Sequence, residues 1–170
     1  KSEQATAQLG PVKPEVPLFD WRGEDATGPA SVRIKLSEQK AHIFKGGKDV
    51  GWTYVATGTP NRPTPTGSFR IMEKKVDKCS NRWGIMVDGN GNTTNWNACN
   101  GVSSVPSGGH FQGAPMPNWM RLTSSGVGMH GGPIPNPGSP ASHGCIRLPY
   151  EMAKNLYGAL PEGTPVTITE

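Results

Sequence analysis

The chain of 170 residues has no apolar run long enough to span a bilayer, no block of like charge and no internal repeat. Without about eighteen consecutive apolar residues it holds no transmembrane helix. Without basic residues interleaved with aromatics it offers no nucleic-acid groove. Its 17 basic and 13 acidic side chains leave a formal charge of only +4, spread along the chain. Cysteine and histidine are scarce, at three and four residues, and neither Cys-x-x-Cys nor His-Glu-x-x-His occurs, so the common zinc signatures are missing. An apolar leader is missing too, since the chain opens at Lys1 without Met. The expectation is a mature form from which an export signal has been removed.

Glycine and proline are abundant instead, with 23 and 17 residues, roughly twice their usual joint share. Together with short apolar runs they predict strands joined by turns. Residues 1–30 read as an extended lead-in, ordered in part by packing Leu18, Phe19 and Trp21 onto the body. Period-two alternation over 32–36 marks a half-buried strand. Residues 40–45, a Gly46-Gly47 turn and residues 50–57 follow as a hairpin, making an antiparallel meander. Residues 58–67 form a stiff loop with three prolines, and 68–73 resume a strand.

From about 77 to 118 the turn signals Asp88-Gly89-Asn90-Gly91-Asn92 and Ser107-Gly108-Gly109 predict a loop-rich insertion. Its Trp83, Trp96, Phe111, Met116 and Trp119 either line a substrate groove or anchor the loop. Strands are expected at 119–123 and 127–130, and a last one at 165–169. The apolar spacing of Met152, Ala153, Leu156, Tyr157 and Leu160 predicts a helix over 150–159.

Two motifs concentrate the chemistry: Met129-His130-Gly131-Gly132, then Ser142-His143-Gly144-Cys145-Ile146-Arg147. A free thiol is only a few per cent thiolate at pH 7, so a nucleophilic cysteine needs a base beside it. Here two imidazoles qualify. Two other readings stay open at this point. Cys145 is a small buried residue in a tight turn, or His130, His143 and Cys145 hold a zinc ion. No Asp or Glu occurs from Val102 to Leu148, so no carboxylate is near in sequence to orient a histidine. With Cys145 set aside, Cys79 and Cys99 remain as a candidate disulfide. It would add about 3 kcal/mol on the chain-entropy estimate and imply an oxidising compartment.

His130-Gly131 followed by Ser142-His143-Gly144-Cys145-Ile146-Arg147 resembles the L,D-transpeptidase catalytic domain, also called the YkuD domain. Weaker similarity extends over residues 31–170 through Ala56-Thr57-Gly58, Thr64-Pro65-Thr66-Gly67 and Gly163-Thr164-Pro165-Val166. The resemblance implies a mainly β fold with one or two short helices (α+β), sandwich- or barrel-like, without metal or cofactor. It implies an exported enzyme of the periplasm or cell envelope acting on peptidoglycan stem peptides. Such enzymes attack the diamino acid carbonyl of a tetrapeptide, expel D-alanine and pass the acyl group to an amine. Another stem and a wall-anchored lipoprotein are candidate acceptors. Transfer to water, as in a carboxypeptidase or endopeptidase, and a non-catalytic wall-binding module are the alternatives.

Carried onto this chain, Cys145 is the nucleophile and His130 its base, oriented by the Gly131 carbonyl. His143 and Gly144, with the Cys145 N–H, form the oxyanion side. Ser142 fixes the loop, Arg147 binds a stem carboxylate, and Trp119 and Met129 complete the substrate side.

Overall fold

A computed structural model describes residues 16–170. Two sheets face one another around a single core. The first has the order β1-β4-β3-β2-β11-β5 and the second β10-β9-β8-β6-β7. The strands of the first sheet are β1 (Phe19–Trp21), β2 (Ala30–Lys35), β3 (Lys40–Lys45), β4 (Lys48–Tyr54), β5 (Gly67–Arg70) and β11 (Pro165–Thr169). Those of the second are β6 (Glu73–Val87), β7 (Thr93–Cys99), β8 (His110–Arg121), β9 (Gly128–Gly131) and β10 (Ile146–Leu148), with helix α1 (Tyr150–Ala159) after them.

Alternation sends Val32 and Ile34 of β2, Ala41 and Ile43 of β3, and Val166 and Ile168 of β11 inward. They meet Met120, Met129, Ile146 and Leu148 from the other sheet. The β3–β4 hairpin forms as expected, because Gly46 and Gly47 take φ of 56° and 79°, the pair of positive values that matches the twist of the strands. Helix α1 also falls where its spacing places it. Met152, Ala153 and Leu156 are buried against the core, while Leu160 leaves the helix with an extended backbone and donates its N–H back to Leu156 O at 2.8 Å. The lead-in contributes more than packing: Phe19–Trp21 pairs with β4 as an edge strand. Residues 1–15 lie outside the described residues.

The segment 77–118 corrects the sequence reading. It is dominated by strands, with β6 running 15 residues and β8 running 12. The expected turns are real, since Asp88 Oδ1 accepts from the N–H groups of Asn90 and Asn92 at 2.9 Å. The strands between them were hidden because much of β6 and β7 is exposed on both faces. Such an arm lacks the apolar alternation by which a strand is recognised.

Between Cys79 and Gly84 the β6–β8 register shifts, and Ser80 Oγ accepts from the N–H groups of Arg82 and Trp83 at 3.2 and 3.0 Å. This bulge aims Trp83 at the second half of the motif. The expected bridge is not formed either. Cys79 lies opposite Pro115 and Cys99 opposite Trp83, and all three cysteines are free. Three thiols are therefore expected to titrate in denaturant without reductant; one would restore the bridge. Leu156→Ala, at a side chain with no exposure, should lower the unfolding free energy by about 2–5 kcal/mol in a denaturant titration.

Candidate active site

The site rests on one short parallel pair. Strand β10 lies beside β9 with Ile146 opposite Met129, Arg147 opposite His130 and Leu148 opposite Gly131. Met129, Ile146 and Leu148 are buried in the core. With a side-chain period of two, His130, Arg147 and Cys145, which directly precedes β10, belong to the opposite face. That face opens on a cavity of about 770 Å³, walled also by Lys78, Trp83, Trp119 and Tyr150. Met129 is thus corrected: it stands beside His130 in sequence but points into the core, where it cannot meet a substrate.

The loop that carries the motif is tied to residues 56–64. Ala56 and Arg147 exchange backbone hydrogen bonds of 3.0 and 2.9 Å, and the N–H groups of Ala141 and Ser142 both donate to Thr57 O at 3.0 Å. Thr64 Oγ1 donates to Gly144 O at 2.7 Å and accepts from Gly58 N–H at 2.9 Å. Gly144 has φ of 127°, a backbone that side chains rarely adopt. Ser142 is buried. Its Oγ donates to Cys145 O and accepts from Gly144 N–H at 3.1 Å. This engages Gly144 N–H and corrects its expected place among the oxyanion donors. The N–H groups of His143 and Cys145 carry no such bond among the described residues.

The two histidines occupy different surroundings. His130 is 7% exposed, and its Nδ1 lies 2.8 Å from Gly131 O. A carbonyl only accepts, so Nδ1 bears the proton and Nε2 is the basic nitrogen. Burial lowers the His130 pKa below the ordinary imidazole value; the Gly131 bond opposes this and the Arg147 charge adds to it. His143 is exposed and stacks on Trp83, with ring centroids 4.4 Å apart and planes 10° apart. The Arg62 guanidinium lies 4.2 Å from the Trp83 centroid. Partial burial, then Arg62 and Arg147, lower the His143 pKa as well. Among the described residues no three His, Cys, Asp or Glu side chains converge as a metal-holding group.

Cys145 is half-buried, and its Sγ donates to Gly126 O at 3.6 Å rather than bonding to His130. Burial pushes its thiol pKa up, against the pull of the Gly128 backbone and of Arg147, Arg121 and Lys78. Catalytic hydrogen bonds are often long or absent before substrate arrives. Burial thus favours the neutral form of both groups.

Trp119 is fully buried with its ring centroid 6.1 Å from that of His130, and its Nε1 has no hydrogen-bond partner among the described residues. Lys78 Nζ and Arg121 Cζ each lie 5.5 Å from a Trp119 ring centroid. Both Met116 and Trp119 line the cavity, although strict alternation would part residues three apart. Asn118, with φ of 57°, breaks the alternation between them; Asn is among the few side chains that tolerate this backbone. Lys78, Arg121 and Thr64 had no part in the expected site. They come from strands and a loop remote from the motif, and only Thr64 lies in a segment already marked by resemblance.

The model of the L,D-transpeptidase catalytic domain, YkuD, matches residues 29–168. Probable L,D-transpeptidase 3 of Mycobacterium tuberculosis is 31% identical over 134 residues, covering 76% of this chain and 42% of the relative. The crystal structure of an Enterococcus faecium L,D-transpeptidase, a cysteine-to-serine mutant, superposes with a TM-score of 0.61 at 27% identity, covering 84% of this chain and 50% of that one. An L,D-transpeptidase solved in complex with imipenem gives a TM-score of 0.61 at 25% identity, covering 82% and 58%. The chain therefore spans about half the length of these relatives. From its fold, its paired motifs and the match over residues 29–168, the chain belongs to the L,D-transpeptidase catalytic domain family.

Proposed function

We propose that this domain is a peptidoglycan L,D-transpeptidase with Cys145 as nucleophile and His130 as its base. The observation that carries the reading is the β9–β10 register. It sets Cys145, Arg147 and a His130 of fixed tautomer on one face of a cavity, in a chain of this family.

The Cys145 S–H proton passes to His130 Nε2 as sulfur attacks the carbonyl carbon of the diamino acid in a tetrapeptide stem. The carbonyl pair moves onto oxygen, where the N–H groups of His143 and Cys145 stabilise it; one such donor is worth about 3 kcal/mol. The oxygen pair returns, the C–N bond breaks, and the leaving D-alanine amine takes the proton from His130. An acceptor amine then attacks the thioester, gives a proton to His130 and expels the Cys145 thiolate, which is reprotonated. The Gly131 carbonyl does the orienting that a carboxylate does in a Ser-His-Asp triad, without a full negative charge to stabilise imidazolium. Turnover is accordingly modest.

Arg147 meets a carboxylate of the stem, and Trp119 supports the cavity floor behind His130. The acceptor is an amine on a second stem or on a wall-anchored lipoprotein. The protein works in the cell envelope or periplasm. No helix among the described residues is long and apolar enough to cross a membrane.

Imipenem should add covalently to the wild-type domain, detected by intact mass, and Cys145→Ala should abolish the adduct. His130→Ala should slow acylation by about 10²–10⁴ and His143→Ala by a smaller factor; the reverse ranking would overturn the assignment of the base. The pH profile follows from the two directions of shift. His130 loses its proton below the ordinary imidazole value, and Cys145 keeps its proton above the ordinary thiol value. The acylation rate should therefore rise through an inflection below about 6.5 and be level at pH 7–8. A half-maximum at pH 7 or above would contradict this pair.

A further inference from the structure

Every charged side chain that lines the 770 Å³ cavity is a cation. Lys78, Arg82, Arg121 and Arg147 are there, with no Asp or Glu. Three of them are unspent. Among the described residues the Lys78 ammonium and the Arg82 and Arg147 guanidinium groups have no ion pair and no side-chain hydrogen bond, Arg82 lying over Trp83, whereas Arg121 is held by Glu73 at 3.4 Å and Thr123 O at 3.4 Å. Arg147 is half-buried, and burial pulls its pKa down, opposed by Tyr150 and Cys145 beside it. Trp119 adds a buried N–H without an acceptor. The unpartnered polar groups named here are all donors, so the missing complement is a set of acceptors with negative charge.

Their placement gives that complement a length. Arg147 stands on β10 and Lys78 on β6, with β9 and β8 between them. Three strand spacings make about 14 Å across the sheet, and Lys78 lies opposite Met116, three residues or about 10 Å along β8 from Trp119, so the backbone separation is about 17 Å, close to five residues of extended chain. His130 on β9 and Trp119 on β8 lie on the way, and Lys78 and Arg121 meet at the Trp119 ring.

We propose that the cavity selects its donor stem by charge. A tetrapeptide whose side carboxylates are free is taken in preference to the same peptide with those carboxylates amidated, and Lys78 is a specificity-determining residue for this choice. The inference rests on the transpeptidase reading above and names which stems that site accepts. Arg147 alone would satisfy the terminal carboxylate that every tetrapeptide has. Lys78 contributes to the choice of stem only if a second carboxylate reaches the Trp119 end. An amide there would present donors to a donor and leave the ammonium unpaired.

The test uses two synthetic stems, L-Ala–γ-D-Glu–meso-diaminopimelate–D-Ala with both side carboxylates free and the same peptide with both as amides. D-Ala release gives kcat/KM for each at low and at high salt, in the wild type, Lys78→Gln and Lys78→Arg, with the imipenem adduct measured in parallel. The free stem is expected to lead by roughly tenfold at low salt, and by less at high salt as screening grows. Lys78→Gln should cut the lead to about twofold, and Lys78→Arg should keep most of it. Because loss of Lys78 acts on the Cys145 thiol equally for both stems, the ratio, not the rate, reports selection.

Equal rates on the two stems, a preference for the amidated one, or a ratio unmoved by Lys78→Gln would overturn the inference and leave the transpeptidase reading standing. An imipenem adduct with turnover of neither stem would also overturn it while keeping Cys145 as the nucleophile. Failure of both stems and of imipenem would remove the transpeptidase reading and this inference together.

Discussion

The register of β9 against β10 is the constraint on which the rest depends. Three residues of each strand fix it, with Ile146 and Leu148 against Met129 in the core. A slip by one residue would send His130 inward and Met129 into the cavity. It would also part Arg147 from Ala56, and with it the backbone pair that closes the motif loop. Burial of three apolar side chains thus decides where a thiol, an imidazole and a guanidinium stand. Hydrophobic packing does the aiming, and the polar groups take the positions that remain.

Around that pair the local devices divide the work. Thr64 and Ser142 hold Gly144 from both sides, one through its carbonyl and one through its N–H. The positive φ of Gly144 is therefore supported from two directions. Gly131 serves His130 with its carbonyl alone. The long β6–β7–β8 arm reaches the motif through the Trp83 ring stacked on His143, and the Ser80 bulge sets its direction. The core holds His130, and the arm meets His143.

Much of this was legible in the sequence where apolar spacing carried it. The helix Tyr150–Ala159 and the hairpin around Gly46-Gly47 fall where period and turn chemistry place them. The arm was read as loop because β6 and β7 are exposed on both faces for much of their length, and a strand with no buried face has no period to read. Strand β10 went unseen because three residues inside a motif draw attention for their chemistry rather than their pairing. Met129 was misplaced for a related reason: neighbours in a strand point apart, so standing next to His130 removes it from the site. The Cys79–Cys99 pairing was inferred by counting, and counting is blind to register. Lys78 and Arg121 were not legible at all as site residues, since only strand order brings them to Trp119.

The bond from Cys145 Sγ to Gly126 O makes this a thiol at rest. Its proton is held by a carbonyl, and burial raises its pKa and lowers that of His130. An exposed, ionised sulfur would be open to any oxidant or stray electrophile of an oxidising envelope. In the mechanism proposed above, reactivity is latent, released when a carbonyl seated in the cavity gives the proton reason to leave Gly126 for His130.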